Sequence, residues 1–142
     1  MGGIFGTYGS DKELERNGKW FSYPANDDGT IPRVKLGRMS RSNERWVAAI
    51  DRIQREFGED IESDTVSETE AYSAYRKAFA DIIIIDWENL QNEEGEAIEY
   101  SKANADKLTR DLPDFYFDMR KKANKLANFR REDERNKDDA KN

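Results

Sequence analysis

The chain has 142 residues, with 38% charged against 36% apolar, and a formal net charge of −6. That is enough for one domain with one small core, and the acidic balance argues against bulk binding to nucleic acid or anionic lipid, since both need a cationic face. There is neither cysteine nor histidine, which removes disulfides, the usual zinc ligands and Ser-His or Cys-His nucleophile pairs, and leaves carboxylates as the remaining catalytic machinery.

Residues 1–13 carry four glycines and few apolar anchors, and read as a flexible arm. The glycines of Gly2 to Gly9 do not make a phosphate loop, because no strand precedes them and no Gly-Lys-Ser/Thr closes them. The same stretch is too short and glycine-rich for a signal-peptide core. The one long apolar run, Ile82 to Ile85, is flanked at once by Asp81 and Asp86, so neither secretion nor a membrane span is expected.

Lys19 to Pro24 and Ile31 to Leu36 are β-prone runs joined by Ala25-Asn26-Asp27-Asp28-Gly29-Thr30, which predicts a hairpin. Ile31, Arg33 and Lys35 alternate with Val34 and Leu36, one wet face against one packed face. Pro32 has no N–H for a ladder, so its run is an edge strand or starts there. The Asn26 to Gly29 cluster lacks the later bidentate glutamate of a calcium loop and reads as a solvated turn.

Beyond Gly37 the period becomes helical. Trp46, Ala49, Ile50, Ile53 and Phe57 form one stripe, opened by Ser40 or Ser42 and stopped by Gly58. Arg41, Arg45, Arg52 and Arg55 are interleaved with Glu44, Asp51 and Glu56, which suits a solvated ion-paired face. Ser67-Glu68-Thr69-Glu70 is a capping box with a Val66/Ala71 staple, and it starts a second helix. Tyr72, Tyr75, Phe79, Ile82, Ile83 and Trp87 continue in helical register. Four isoleucines in a row also suit a buried strand, but the register and the lack of turn residues favour the end of a buried helix.

Gln91 to Tyr100 reads as a turn with a short extended piece. Ser101 caps a helix through Ala105, Leu108 and Leu112, and Pro113 opens the last one. That helix carries Tyr116, Met119, Ala123 and Leu126 on one stripe. From Arg120 to Arg131 it has six basic residues and no acidic one (Arg120, Lys121, Lys122, Lys125, Arg130, Arg131). Only Phe129 interleaves them and Glu132-Asp133-Glu134 follows, so nucleic acid is not the expected partner. Carboxylate pairs among Asp81, Asp86, Glu88, Glu93, Glu94 and Glu96 arise by composition, with no activated nucleophile beside them, and no enzymatic activity, metal or cofactor is expected.

The expected fold class is α+β, mainly α: an N-terminal hairpin, about four helices packed as a small bundle, and a charged helix end. One domain spans 14–131, between the arm and a charged tail at 132–142. The order of an aromatic hairpin (Gly18 to Tyr23, Val34 to Arg38), the Asp86 to Phe115 segment and Ala123 to Arg130 resembles the tail assembly chaperones of long-tailed bacteriophages. The most specific residues are Asp86-Trp87, Gly95, Tyr100-Ser101 and Leu112-Pro113-Asp114-Phe115.

The resemblance implies a non-enzymatic protein of the infected host's cytoplasm, absent from the finished virion. It would bind the tape-measure protein, help recruit tail-tube subunits, self-associate and accept a frameshifted C-terminal extension. Residues expected at the partner surface are Trp87, Tyr116, Met119, Arg120, Lys121, Lys125, Arg130 and Arg131. Two alternatives stand beside this: a structural tail or connector component of the virion, and a small acidic inhibitor of a host nucleic-acid-binding complex.

Overall fold

The computed structural model describes residues 2–62 and 68–130, with side chains left undescribed at 58–62 and 68. Two short helices, α1 (Gly3–Tyr8) and α2 (Lys12–Asn17), lead into strands β1 (Lys19–Ser22) and β2 (Arg33–Leu36). Helices α3 (Glu44–Glu62) and α4 (Glu68–Ala78) follow, then a π-helical turn (Phe79–Ile83), strand β3 (Ile84–Glu88), α5 (Lys102–Asp111), α6 (Pro113–Asn124) and a 3₁₀ turn (Leu126–Phe129). The architecture is α+β and mainly helical, as the sequence indicates. The strands form one antiparallel sheet in the order β1-β2-β3.

The hairpin pairs Trp20 with Lys35 and Phe21 with Val34, and its alternation places Val34 and Leu36 at 0% exposure. Pro32 lies just before β2, where its missing N–H costs no ladder bond, and that leaves β2 free to be the central strand.

The sheet's third strand corrects the helical expectation for Ile84 to Trp87, while Ile82 and Ile83 are helical as expected. The helix ends at Ala78, the π-helical turn carries Phe79, Ala80 and Ile83 into the core, and Ile84 begins a strand on the open edge of β2. The register shifts between Lys35 and Leu36: Leu36 faces Ile84 while Lys35 faces Asp86, so Ile85 is the extra residue of a bulge. The bulge lets Ile84 and Trp87, three apart, both face the core. Ile85 instead packs over the backbone of Gly18 and Gly37.

The main core joins Val34, Leu36, Phe79, Ile83, Ile84 and Trp87 to Ala105, Tyr116, Met119 and Ala123 of α5 and α6. A smaller core of Ala49, Ile53 and Ala78 lies between α3 and α4. Buried polar contacts fix the parts. Arg76 in α4 is 4% exposed and donates to the Asp106 carbonyl (2.7 Å), the Asp106 carboxylate (2.8 Å) and the Thr109 hydroxyl (2.9 Å), tying α4 to α5. Thr109 therefore takes the buried position on α5, and Leu112, expected on the apolar stripe, lies 50% exposed at the joint with α6.

Further expectations are refined. Asn43, not Ser40 or Ser42, accepts the Trp46 N–H at the start of α3, and α3 runs past Gly58 to Glu62. Ser67 lies outside the described residues, and the capping box with it. The basic helix expected to reach Arg131 stops at Asn124: Met39 N–H takes the Ala123 carbonyl, Lys125 is extended, and Phe129 turns inward to 0% exposure. Part of the segment expected as an arm is docked on the body. Asp11 caps α2 through the Glu13 and Leu14 N–H groups, and its own N–H donates to the Phe129 carbonyl at 2.6 Å.

Candidate protein-binding surface on the last helix

Helix α6 starts where the sequence sets it, with Pro113 in the first turn and Asp114 beside the positive end of the helix dipole. Its 3.6-residue period then divides it. Tyr116, Met119 and Ala123 point inward, whereas Phe117, Lys121 and Asn124 point outward. Tyr116 is 2% exposed and edge-on to Phe79 (5.2 Å between ring centroids) and to Tyr72 (5.9 Å). Burial raises the Tyr116 hydroxyl's pKa, and the nearby Arg120 guanidinium partly offsets this.

The outward face is a mixed patch. Phe117 (46% exposed) and Tyr72 (38%) lie 6.3 Å apart, with the guanidinium of Arg120 over Phe117 at 5.9 Å and over Tyr116 at 5.4 Å. Beside this ridge lie two shallow grooves that share Asp118, Lys121 and Asn124. One, of about 460 Å³, is lined also by Met39, Phe117 and Arg120. The other, of about 620 Å³, runs between α6 and β1 and is lined also by Phe21, Lys122, Lys125 and Asn128.

Asp118 is the groove's acid. Burial would raise its pKa, but the Lys122 ammonium at 2.6 Å, the Tyr23 hydroxyl and Lys121 outweigh that and hold it below the usual carboxylate range. Lys122 also sits over the Tyr23 ring at 4.9 Å. Tyr23 Oη is buried without a partner at hydrogen-bonding geometry; burial, then the Asp118 charge, push its pKa up. Lys121 and Lys125 are exposed and have no carboxylate at ion-pair distance among the described residues. Exposed aromatics beside unpaired cations are suited to a partial apolar ligand with acidic edges.

The eight expected surface residues divide accordingly. Trp87, Tyr116 and Met119 are core: Trp87 is 6% exposed and its indole N–H donates to the Ile98 carbonyl at 2.7 Å, while Met119 is fully buried. Their aromatic and thioether bulk serves the sheet–helix interface and leaves nothing for a partner to touch. Arg120 and Lys121 line the first groove, and Lys121 with Lys125, just past the end of α6, line the second. Arg130 is half-buried at the chain's exit and donates to the Thr7 carbonyl at 2.8 Å, and Arg131 lies outside the described residues.

The residues missed were Phe117, Tyr72, Phe21 and Met39. For Phe117 a signal existed, since it falls off the Tyr116–Met119–Ala123 stripe and so had to face outward. Phe21 and Met39 come from elements whose docking on α6 has no sequence signature.

The candidate carboxylates are each locally engaged or solvent-facing. Asp81 pairs with Lys102 (2.8 Å), Glu88 with Arg33 (2.7 Å), and Asp86 accepts the Trp87 N–H. Glu93, Glu94 and Glu96 are exposed on a turn held by the Asn92 side chain, which accepts the Glu94 and Glu96 N–H groups. Among the described residues no helix is long and apolar enough to cross a membrane.

Residues 41–142 match the family described as YdaY prophage protein. The chain belongs to that family. The YdaY match makes the protein phage-derived, and it covers α3 through the C-terminus, including β3 and the whole of α6. It begins after β2, so the hairpin that completes the sheet and the Phe21 wall of the second groove lie outside the YdaY span. No curated protein and no solved structure matches the chain.

Proposed function

We propose that this phage protein is a non-enzymatic tail assembly chaperone that binds the tape-measure protein through the α6 face and helps bring tail-tube subunits to it. The observation that carries the binding role is the pairing of exposed Phe117 on α6 and Tyr72 on α4 with Arg120 and Lys121 on α6 and Lys125 just past its end. Aromatic and arginine anchors supply most of the energy at protein interfaces, and rim cations steer an acidic partner. An amphipathic helix with acidic flanks is the ligand this geometry fits, and a long helical tape-measure protein offers such segments. Phage origin and the resemblance of Asp86 to Phe115 to tail assembly chaperones support the choice of partner.

The protein would act in the infected cell's cytoplasm and leave before the virion is finished. The test is co-expression with the neighbouring tape-measure gene product, read by solubility and pull-down. Complex formation that is lost in Phe117→Ser/Lys121→Glu, with the fold intact by circular dichroism, is expected. A tape-measure protein equally soluble with and without this chain, and no complex, overturns the proposal. Recovery of the chain in purified virions would favour a structural tail component instead.

A further inference from the structure

The joint between α2 and α3 holds a pocket of about 190 Å³, more enclosed than either α6 groove and sharing no residue with them. Lys12, Glu15 and Arg16 line it from α2, and Ser42, Glu44 and Arg45 line it where the chain enters α3.

Three of its features have no match within the described chain. Glu15 is 1% exposed, and while its Oε1 accepts from Ser10, from Arg38 (2.7 Å) and from Ser42 (2.8 Å), its Oε2 is buried without a hydrogen-bond partner. At the start of α3, a helix of 19 residues, the Trp46 N–H goes to the Asn43 side chain, but the N–H groups of Glu44 and Arg45 have no acceptor among the described residues. Lys12, Arg16 and Arg45 are exposed, and no carboxylate lies at ion-pair distance from them among the described residues.

These features ask for one kind of ligand. Free N–H groups at a long helix's N-terminus, with cations around them, suit an anion. An ionised carboxylate can only accept, so its open oxygen repels a bare anion and binds one that still carries a proton. An ammonium or guanidinium ligand fits poorly, because three cations line the pocket against two carboxylates and Arg38 already meets the charge of Glu15. Near neutral pH sulfate has lost its protons, whereas inorganic phosphate combines negative charge with at least one O–H.

We propose that this pocket binds hydrogen phosphate, whose oxygens accept from the Glu44 and Arg45 N–H groups and the Lys12, Arg16 and Arg45 side chains while its O–H donates to Glu15 Oε2. A phosphate held there ties α2 to the start of α3 and stabilises the folded chain by mass action. The site stands apart from the reading of α6 as a partner surface.

The full-length chain is titrated at pH 7.5 with phosphate and with sulfate at matched ionic strength, and read by the amide resonances of Glu44 and Arg45. Phosphate should shift both saturably. Sulfate should bind at least about tenfold more weakly, since it sets a bare oxygen against the carboxylate where phosphate makes a charge-assisted hydrogen bond. Phenyl phosphate separates the free ion from an ester: a second pKa near ~6 leaves the ester mostly without an O–H at this pH, and it should bind as weakly as sulfate. No saturable shift with phosphate overturns the site. Sulfate or the ester binding as tightly as phosphate overturns it too, because charge alone would then account for the shifts.

Two variants locate the contacts. Arg16→Gln/Arg45→Gln changes exposed positions only and should weaken phosphate about tenfold with the fold intact by circular dichroism; an unchanged affinity overturns the site. Glu15→Gln should let sulfate bind as tightly as phosphate, and a folded variant that still discriminates overturns the role of Glu15. If that variant does not fold, the phosphate-to-sulfate ratio of the unaltered chain still decides.

Discussion

Glu15 is 1% exposed in a chain whose other acids are mostly on the surface, and one of its oxygens, Oε1, accepts from Arg38 (2.7 Å), from Ser42 (2.8 Å) and from Ser10. Burial would raise its pKa, but the Ser10, Arg38 and Ser42 hydrogen bonds outweigh it and hold the carboxyl below its ordinary value of 4.5. A carboxyl depressed by folding adds stability that is full above its unfolded pKa and is lost as pH falls through the folded one. Urea midpoints measured from pH 7 downward should fall below about pH 4.5, and Glu15→Gln should flatten that fall; parallel curves would show that Glu15 contributes nothing to it. Glu15→Ala strands the Arg38 guanidinium, 15% exposed, and should cost about 2–4 kcal/mol. Neighbours on α6 give the converse pair. Tyr116→Ala should cost about 3–5 kcal/mol for a filled core site, whereas Phe117→Ala should change stability by less than ~1 kcal/mol and weaken partner binding roughly tenfold. A Phe117 variant as unstable as the Tyr116 one would place that ring in the core. The stripe through Tyr116 and Met119 was legible as core from spacing. Glu15 was not, because nothing near it in sequence announces Arg38 and Ser42, which reach it from the far side of the hairpin.

At the scale of elements, hairpin, acidic turn, Ser101 cap and Pro113 start were legible because each rests on contacts between residues close in the chain. What was not legible was β3. Ile84 and Trp87 are three apart and both face inward, a helical spacing produced here by a bulge, so periodicity gave the wrong element. The decisive partner, the free edge of β2, lies about fifty residues away in sequence, a separation visible in the Leu36–Ile84 pair. A still larger separation hid the end of α6, where the Met39 N–H donates to the Ala123 carbonyl. The bulge makes its own prediction. Gly18 has φ +91°, and a Cβ there would stand 2.8 Å from Ile85 Cδ1 and 3.2 Å from the Leu36 carbonyl oxygen. Gly18→Ala should cost about 2–3 kcal/mol in chemical denaturation. Adding Ile85→Ala should recover the steric share but not the backbone share; a double variant no better than the single one would remove Ile85 from the account.

For the molecule as a whole, charge is segregated: exposed acids on the Glu93–Glu96 turn, cations on α6, and a net −6 that leaves the basic face as a local exception. Composition gave the small acidic domain but not the face, which needs Phe21 and Met39 brought in from the hairpin side. The sheet carries one further consequence. Its central strand and Glu15 belong to the first forty residues, while β3 and helices α3 to α6 belong to 41–142, the span shared with the family. Produced alone, residues 41–142 would present an orphan β3 edge and a core lacking Val34 and Leu36, and should be largely insoluble or molten. The missing piece is a hairpin with a short helix, small enough to add as a peptide. Residues 10–40 supplied in trans should therefore restore a cooperative melt, as two halves of one sheet reassemble; a stable, cooperatively folded 41–142 without them would show that the hairpin is an accessory and not half of the fold. The sheet and the core are thus shared across residue 40, with β1 and β2 on one side and β3 with helices α3 to α6 on the other.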